Sequence, residues 1–365
     1  MQPSDPGRNE RQPAGEAEQR ASSALHRLLP RALISLLIAG GFVWALKRGG
    51  LPLSPPEAAL PFLKWWAIPA FLVTNLVSMA MRTHRMVYLL RPIRRDVSAA
   101  GVVGIGLIGY AAIFFAPLRL GEVVRPYLLA RHERVKFGQG LGVVAAERII
   151  DGLMTVLLTA AGLAFSRHIT PLPDHIGDLP IPISLVPRVL RSATVLFGLA
   201  FVGMAVLYAT RAFAIDFLRR IFGVISKPLA TSLAQIAERV LDGFAFLPSF
   251  RHSGMFVFES VVAWGMTTAT QWVLLQGVGL EASFWIACVT TGLIALGSLL
   301  PAGPGFFGPY QIATYTSLAM FFVPALVTTQ GALYVFGSYA CHVALNLSYA
   351  LVGFLLLRRS SSQPT

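Results

Sequence analysis

Apolar and polar positions fall into long blocks along this chain. Nearly uninterrupted apolar runs cover residues 32–46, 62–81, 141–165, 193–209, 255–277 and 332–357. A helix needs about 20 apolar residues to cross a bilayer, so each run predicts a membrane helix. Two further runs are of a different kind. Residues 98–116 end at Pro117, and residues 284–300 are separated from 307–323 by the Pro- and Gly-rich stretch "PAGPGFFGP". The predicted fold class is all-α: a polytopic membrane helix bundle with about six to eight spanning helices and re-entrant hairpins at the two broken runs.

The polar stretches between the runs set an orientation. Arg82, Arg85, Arg91, Arg94 and Arg95 crowd into one short loop, and Arg211, Arg219, Arg220, Lys227, Arg239 and Arg251 mark another. Short loops rich in Arg and Lys stay in the cytoplasm. The loop over 168–184 is Pro-rich, carries Asp174 and Asp178, and reads as outside. The helix over 141–165 must then start inside, which places Arg119, Arg125, Arg131, Arg134 and Lys136 inside as well. Yet 98–116 also starts inside. The run enters the membrane, turns and returns, with "APLRLGEVVRP" as turn and returning arm. The second broken run starts from the outside. One broken hairpin from each side is the pattern of an inverted repeat. Both termini fall in the cytoplasm, and the expected location is the inner (plasma) membrane.

Composition agrees with this picture. Of 365 residues, 55% are hydrophobic and only 13% charged, against about 25% charged in soluble domains, and the mean hydropathy is +0.64. The formal net charge of +13 comes mostly from loop arginines, which suits the positive-inside rule and anionic lipid rather than nucleic acid. Cys288 and Cys341 lie in apolar runs and read as small buried hydrophobes. No metal-ligand or nucleophile pattern stands out, so neither cofactor nor metal is expected. Residues 1–24 have a disordered, cytoplasmic composition, residues 25–359 form the membrane domain, and 360–365 form a short tail.

The candidate chemistry lies at the breaks. Arg119, Glu122 and Arg125 are spaced to share one broad helical face. Glu147 and Asp151 are one helical turn apart on the following helix, with Arg148 beside them. Ionisable groups inside a membrane are expensive and mark a pathway or a partner, so Glu147 and Asp151 are expected to pair with Arg119 or Arg125 across the hairpin. Arginine suits bidentate contact with a lipid phosphate. In the second hairpin, a half-helix starting near Pro309 would direct its amino terminus at an anion. Glu259, Gln271 and His342, alone in apolar helices, predict interhelical hydrogen bonds. Residues 226–250 predict an amphipathic helix on the cytoplasmic surface.

As a set, "PLRLGEVVRPYLL", "ERIIDGLMTVLL" and "LPAGPGFFGPYQ" resemble the membrane domain of the lysylphosphatidylglycerol synthase (flippase-like) family over about Leu33 to Leu357. The family pattern falls on Pro117, Arg119, Gly121, Glu122, Arg125, Glu147, Arg148, Asp151, Pro301, Pro304, Gly305 and Gly308. Two positions depart from it. Gln311 stands where many relatives have Glu, and "YAAIFFA" lacks the Asn that often precedes the Pro-x-Arg motif. The family's enzymes also carry a soluble aminoacyl-transferase domain, so the resemblance implies the membrane half alone. It implies lipid translocation of an anionic phospholipid, a polyprenyl-phosphate lipid or a hopanoid-like lipid. Arg119, Glu122, Arg125, Glu147, Arg148 and Asp151 would hold the headgroup. Pro117, Gly121, Pro301, Pro304, Gly305, Gly308 and Gln311 would form the helix breaks and line the cavity. A membrane enzyme acting on such a lipid, or a non-transporting partner of a lipid-modification or export complex, are the alternatives.

Overall fold

The computed structural model describes residues 33–116 and 121–361. The tail expected over 1–24, Pro117 and Arg119 lie outside the described residues. Helix α1 covers 33–48. It is followed by α2 (Ala67–His84), α3 (Met86–Leu90), α4 (Ala99–Phe115), α5 (Val124–His132), α6 (Phe137–Phe165), α7 (Val186–Ala209), α8 (Arg211–Ile225) and α9 (Lys227–Asp242). The remaining helices are α10 (Phe250–Gly277), α11 (Phe284–Gly297), α12 (Pro309–Phe321), α13 (Pro324–Thr328) and α14 (Gln330–Ser361). Each apolar run of the sequence became a helix, and no β-strand occurs among the described residues.

Both broken runs fold back on themselves. Ser98 caps α4 by accepting a hydrogen bond from the Gly101 N–H at 3.1 Å, and its own N–H donates to Glu133 Oε2 at 3.0 Å. Glu133 follows α5, so the two arms α4 and α5 start and finish at one level. Between these ends, Gly121 lies on the backbone of Ala112 and Ile113, and Gly109 lies under the Arg125 side chain. A Cβ at Gly121 would overlap that backbone, so glycine is required where the returning strand crosses the first arm. In the second hairpin, Ser283 caps α11. Thr290 and Ser317 hydroxyls meet at 2.8 Å, and Gly297 packs on Pro309 and Ala313. The turn into α12 passes through Gly308 at φ 101°, a conformation closed to most L-residues.

The two halves repeat each other in reverse. The order α2, hairpin α4–α5, α6 recurs as α10, hairpin α11–α12, α14. Helices α2 and α10 pack antiparallel: Lys64 N–H donates to Gly277 O at one end, Ser78 Oγ to Ala263 O in the middle, and His84 meets Glu259 at the other end. The first arm of each hairpin packs against the long helix of the opposite half. Gly104 lies on Gly353 and Leu356, pairing α4 with α14, while Gly162 and Gly292 bring α6 and α11 together. Small residues allow these helices to approach closely. The contact of α4 with α14 thus has its counterpart in that of α6 with α11, on either side of the α2–α10 pair.

One end of the bundle gathers Arg91, Arg94, Arg95, Arg131 and Arg134, together with Arg358 and Arg359 at the end of α14, the basic helix α8 and the amphipathic helix α9. Helix α9 docks on α6 through Gly142 against Val240 and through a Gln139–Asp242 hydrogen bond of 3.1 Å. Its buried stripe is Ala230, Ala234 and Leu241. The opposite end carries Asp174, Asp178 and Glu281. Between the ends, Leu196 and Leu199 on α7, Leu347 and Leu351 on α14 and Phe258 on α10 point outward. Two stretches, Ile183–Ala209 and Pro324–Ser360, are long and apolar enough to cross a bilayer by length and composition. Water would leave this apolar belt uncovered, and hydrocarbon covers it.

Candidate functional site

The two hairpins meet where the end of α4 packs against the loop that joins α11 to α12. Phe114 on α4 packs edge-on against Phe306 at a centroid distance of 5.7 Å. Ala116 and Pro301 line one small cleft between the tips. Beside this junction lies a cavity of about 710 Å³, bounded by α2, α4, α6, α10, α11, α12 and α14. That is within the roughly 300–1,000 Å³ typical of small-ligand sites.

Towards the basic end the cavity is cationic and aromatic. Arg82 and Arg148 line it, with Glu122, Asp151, Tyr110 and Trp264. Arg148 donates to the Tyr110 hydroxyl at 3.3 Å and lies 3.6 Å from Asp151 Oδ2. The Arg82 guanidinium covers the Trp264 ring at 4.6 Å and donates to Thr267 Oγ1 at 3.3 Å.

Behind this wall is a second charged layer without access to the cavity. Arg85, fully buried, donates to both oxygens of Asp151 at 2.7 and 2.8 Å and to Ser260 at 2.9 Å. Asp151 also accepts from the Trp264 indole at 2.9 Å. Arg125 is likewise fully buried. It donates to Glu147 and to Met86 Sδ, and Glu147 Oε1 lies 3.5 Å from Arg85 Nε. Three guanidinium groups, those of Arg82, Arg125 and Arg148, gather around the one ring of Tyr110 at 6.0, 5.0 and 5.7 Å. Among the described residues the cluster holds four arginines against three carboxylates, so it keeps a positive balance while every carboxylate stays near a cation. Burying such groups is tolerable only in pairs.

The residues singled out in the sequence therefore separate into two layers. Glu122, Arg148 and Asp151 line the cavity. The expected pairing across the first hairpin is present as Arg125–Glu147, but both partners are at 0% exposure and touch no cavity surface. Arg125 and Glu147 therefore tie the first hairpin to α6 away from the cavity surface. In the second hairpin, Pro301 lines the cleft between the tips. Gln311 does not line the cavity: its Oε1 accepts the Gly308 N–H at 2.8 Å and caps its own helix. Gly305, at φ 73°, sits against Tyr339 and Phe114.

Sequence reasoning missed Arg82, Arg85, Tyr110 and Trp264 as parts of the site. Arg82 and Arg85 counted as loop charges fixing orientation, because they follow the apolar run of α2. The signal was their i, i+3 spacing on the last turn of a membrane helix, which faces both inward. Glu259 and Gln271 make the expected interhelical bonds, to His84 at 2.9 Å and to Tyr334 at 2.6 Å. His342 differs: its Nδ1 bonds the Ser338 carbonyl of its own helix at 2.7 Å.

A family model described as the lysylphosphatidylglycerol synthase TM region matches residues 32–345. The chain belongs to this family. The match spans both hairpins, the buried arginine layer and the first half of α14. It makes the protein a membrane protein of a family associated with lipid handling. No curated protein and no solved structure matches the chain.

Proposed function

We propose that this membrane protein moves a phosphate-bearing lipid between leaflets, with the central cavity sheltering the headgroup. The cavity itself carries the reading. Its lining is mostly apolar, with a cationic and aromatic patch at one end, and residues of both hairpins border it. A single side-chain charge at the centre of a bilayer costs roughly 2.5–3.5 kcal/mol on insertion scales, and a bare headgroup meets a barrier of the same origin. Arg82 and Arg148 replace water around a phosphate. Asp151 and the layer of Arg85, Glu147 and Arg125 hold the wall in place when the site is empty. The hairpins enter the membrane from opposite faces, and their irregular tips are tolerated there because they line the cavity. Val123 and Leu299, one from each hairpin, line the cavity yet are each 50% exposed. They form an apolar rim where acyl chains leave the site and remain in the bilayer.

The basic end is cytoplasmic on this reading, because its arginines far outnumber those of the other end. Cysteines placed at Arg95 and Arg134 would then react with a membrane-impermeant maleimide only after the cytoplasmic side is opened. Labelling of one and not the other from outside would break the topology. For the activity, purified protein in liposomes containing a headgroup-labelled phospholipid should increase the fraction of label reached by an external quencher, with lipid mass unchanged. A changed lipid mass would point to an enzyme. Unchanged label and unchanged mass would leave a non-transporting partner.

A further inference from the structure

Helix α8, far from the cavity, has two faces of different character. Ile215 is buried and shares one apolar cluster with Ala234 and Leu241 of α9. Phe213, Phe217, Ile221 and Val224 follow one another at helical spacing, so they form a stripe along another face. All four are exposed, Phe213 at 72% and Val224 at 88%. The Phe213 and Phe217 rings stack on each other at a centroid distance of 6.0 Å, and the described residues leave the stripe uncovered. The charges of α8 are Arg211, Arg219 and Arg220 against the single Asp216. Arg219 lies 3.7 Å from Asp216. Arg211 stands over the ring of Tyr208, at the end of α7, at 5.6 Å. Arg220, three residues after Phe217 and four before Val224, borders the stripe.

The position of α8 says what meets the stripe. The stretch Ile183–Ala209 is long and apolar enough to cross a bilayer, and only Thr210 separates it from Arg211. Helix α8 therefore starts where α7 leaves the hydrocarbon, at the basic end of the bundle. In water the stacked rings would stay bare. At a bilayer surface the apolar stripe sinks among headgroups and upper acyl chains, while arginines at its border reach the lipid phosphates. The sequence places a surface helix over 226–250, but α9, within that stretch, docks on α6 at Gly142 and Gln139. We infer that α8 lies along the bilayer surface at the basic end and binds anionic phospholipid there, with the Phe213–Val224 stripe in the lipid and Arg211 and Arg220 on its phosphates. This rests on the membrane reading of the bundle and is independent of lipid movement through the cavity. The hold passes inward, because α9 joins α8 to the first turns of α6, the helix that carries Glu147, Arg148 and Asp151.

Spin labels read the depth of each face. In full-length protein carrying Cys288→Ala and Cys341→Ala, single labels are attached through Phe217→Cys, Val224→Cys or Arg219→Cys. The protein is placed in nanodiscs of phosphatidylcholine, alone or mixed with phosphatidylglycerol. Collisions with oxygen, which concentrates in hydrocarbon, are compared with collisions with a water-soluble nickel chelate. The oxygen-to-nickel ratio at the Phe217 and Val224 positions should be several times that at the Arg219 position, and should rise further with phosphatidylglycerol. Adding Arg211→Gln and Arg220→Gln should abolish that further rise and leave the ratio in phosphatidylcholine unchanged. Dominant nickel collisions at the Phe217 and Val224 positions would put the stripe in water, as a protein-docking face requires, and would overturn the inference. Few collisions with either reagent, together with spin–spin broadening, would mean that a second copy covers the stripe, and would overturn it as well. A ratio indifferent to phosphatidylglycerol would remove the anionic lipid from it. None of these outcomes depends on whether the protein moves lipid in liposomes.

Discussion

Arg125→Ala is expected to cost the protein about 3–5 kcal/mol of stability, the usual penalty for breaking a buried ion pair by removing one partner. The sequence suggests a headgroup contact whose loss would spare the fold. In the structure Arg125 and Glu147 are both fully enclosed. Alanine would leave Glu147 with only Arg85 Nε at 3.5 Å and would open a void beneath Gly109 and Tyr110. The measurement is unfolding in detergent, followed by tryptophan fluorescence or by protease resistance. A double variant, Arg125→Met with Glu147→Leu, removes both charges and roughly keeps the volume, so it should recover most of the loss. If the single variant unfolds like the wild type, the buried layer does not hold the hairpin.

Arg148→Ala should have the opposite profile, with a large loss of lipid movement and little loss of stability. Its side chain is 32% exposed, facing the cavity, and its contact with Asp151 is a long 3.6 Å. Asp151 would keep Arg85 and Trp264, so its carboxylate is not stranded. What disappears is a charge-assisted contact with phosphate. Such bonds contribute about 1.5–3 kcal/mol, which converts to a rate lower by roughly ten- to a hundredfold at 1.4 kcal/mol per factor of ten. Arg148→Lys should restore part of the rate, since an ammonium supplies charge without the planar fork. Movement at the wild-type rate in Arg148→Ala, with the protein folded, would remove Arg148 from the pathway.

Together the two variants divide the charged cluster by depth, which spacing along the chain does not record. Arg125 and Arg148 carry the same charge and belong to the same motif set, yet one is sealed behind Tyr110 and the other faces the cavity. The difference arises because α5 runs back along α4 and presses Arg125 against Gly109.

By itself the sequence determined the helices, their order and the two breaks. Apolar runs of membrane length can satisfy their backbone only as helices. Pro117 and the Pro301–Pro309 stretch interrupt such runs wherever they occur. The distribution of arginine between loops also required the first broken run to finish on the side where it began, and Ser98 and Glu133 meet as that demands. Tertiary structure alone decided which polar groups share the cavity. Arg82 came from α2, Trp264 from α10, Thr291 from α11 and His342 from α14, residues scattered over most of the chain. Their meeting depends on α4 crossing to α14 and α11 to α6 between the halves. Hydropathy fixes how each helix sits in the membrane. Which helices become neighbours, and which face each turns inward, is set by packing at glycines such as Gly104, Gly162 and Gly292, where close approach is determined by partners distant in sequence.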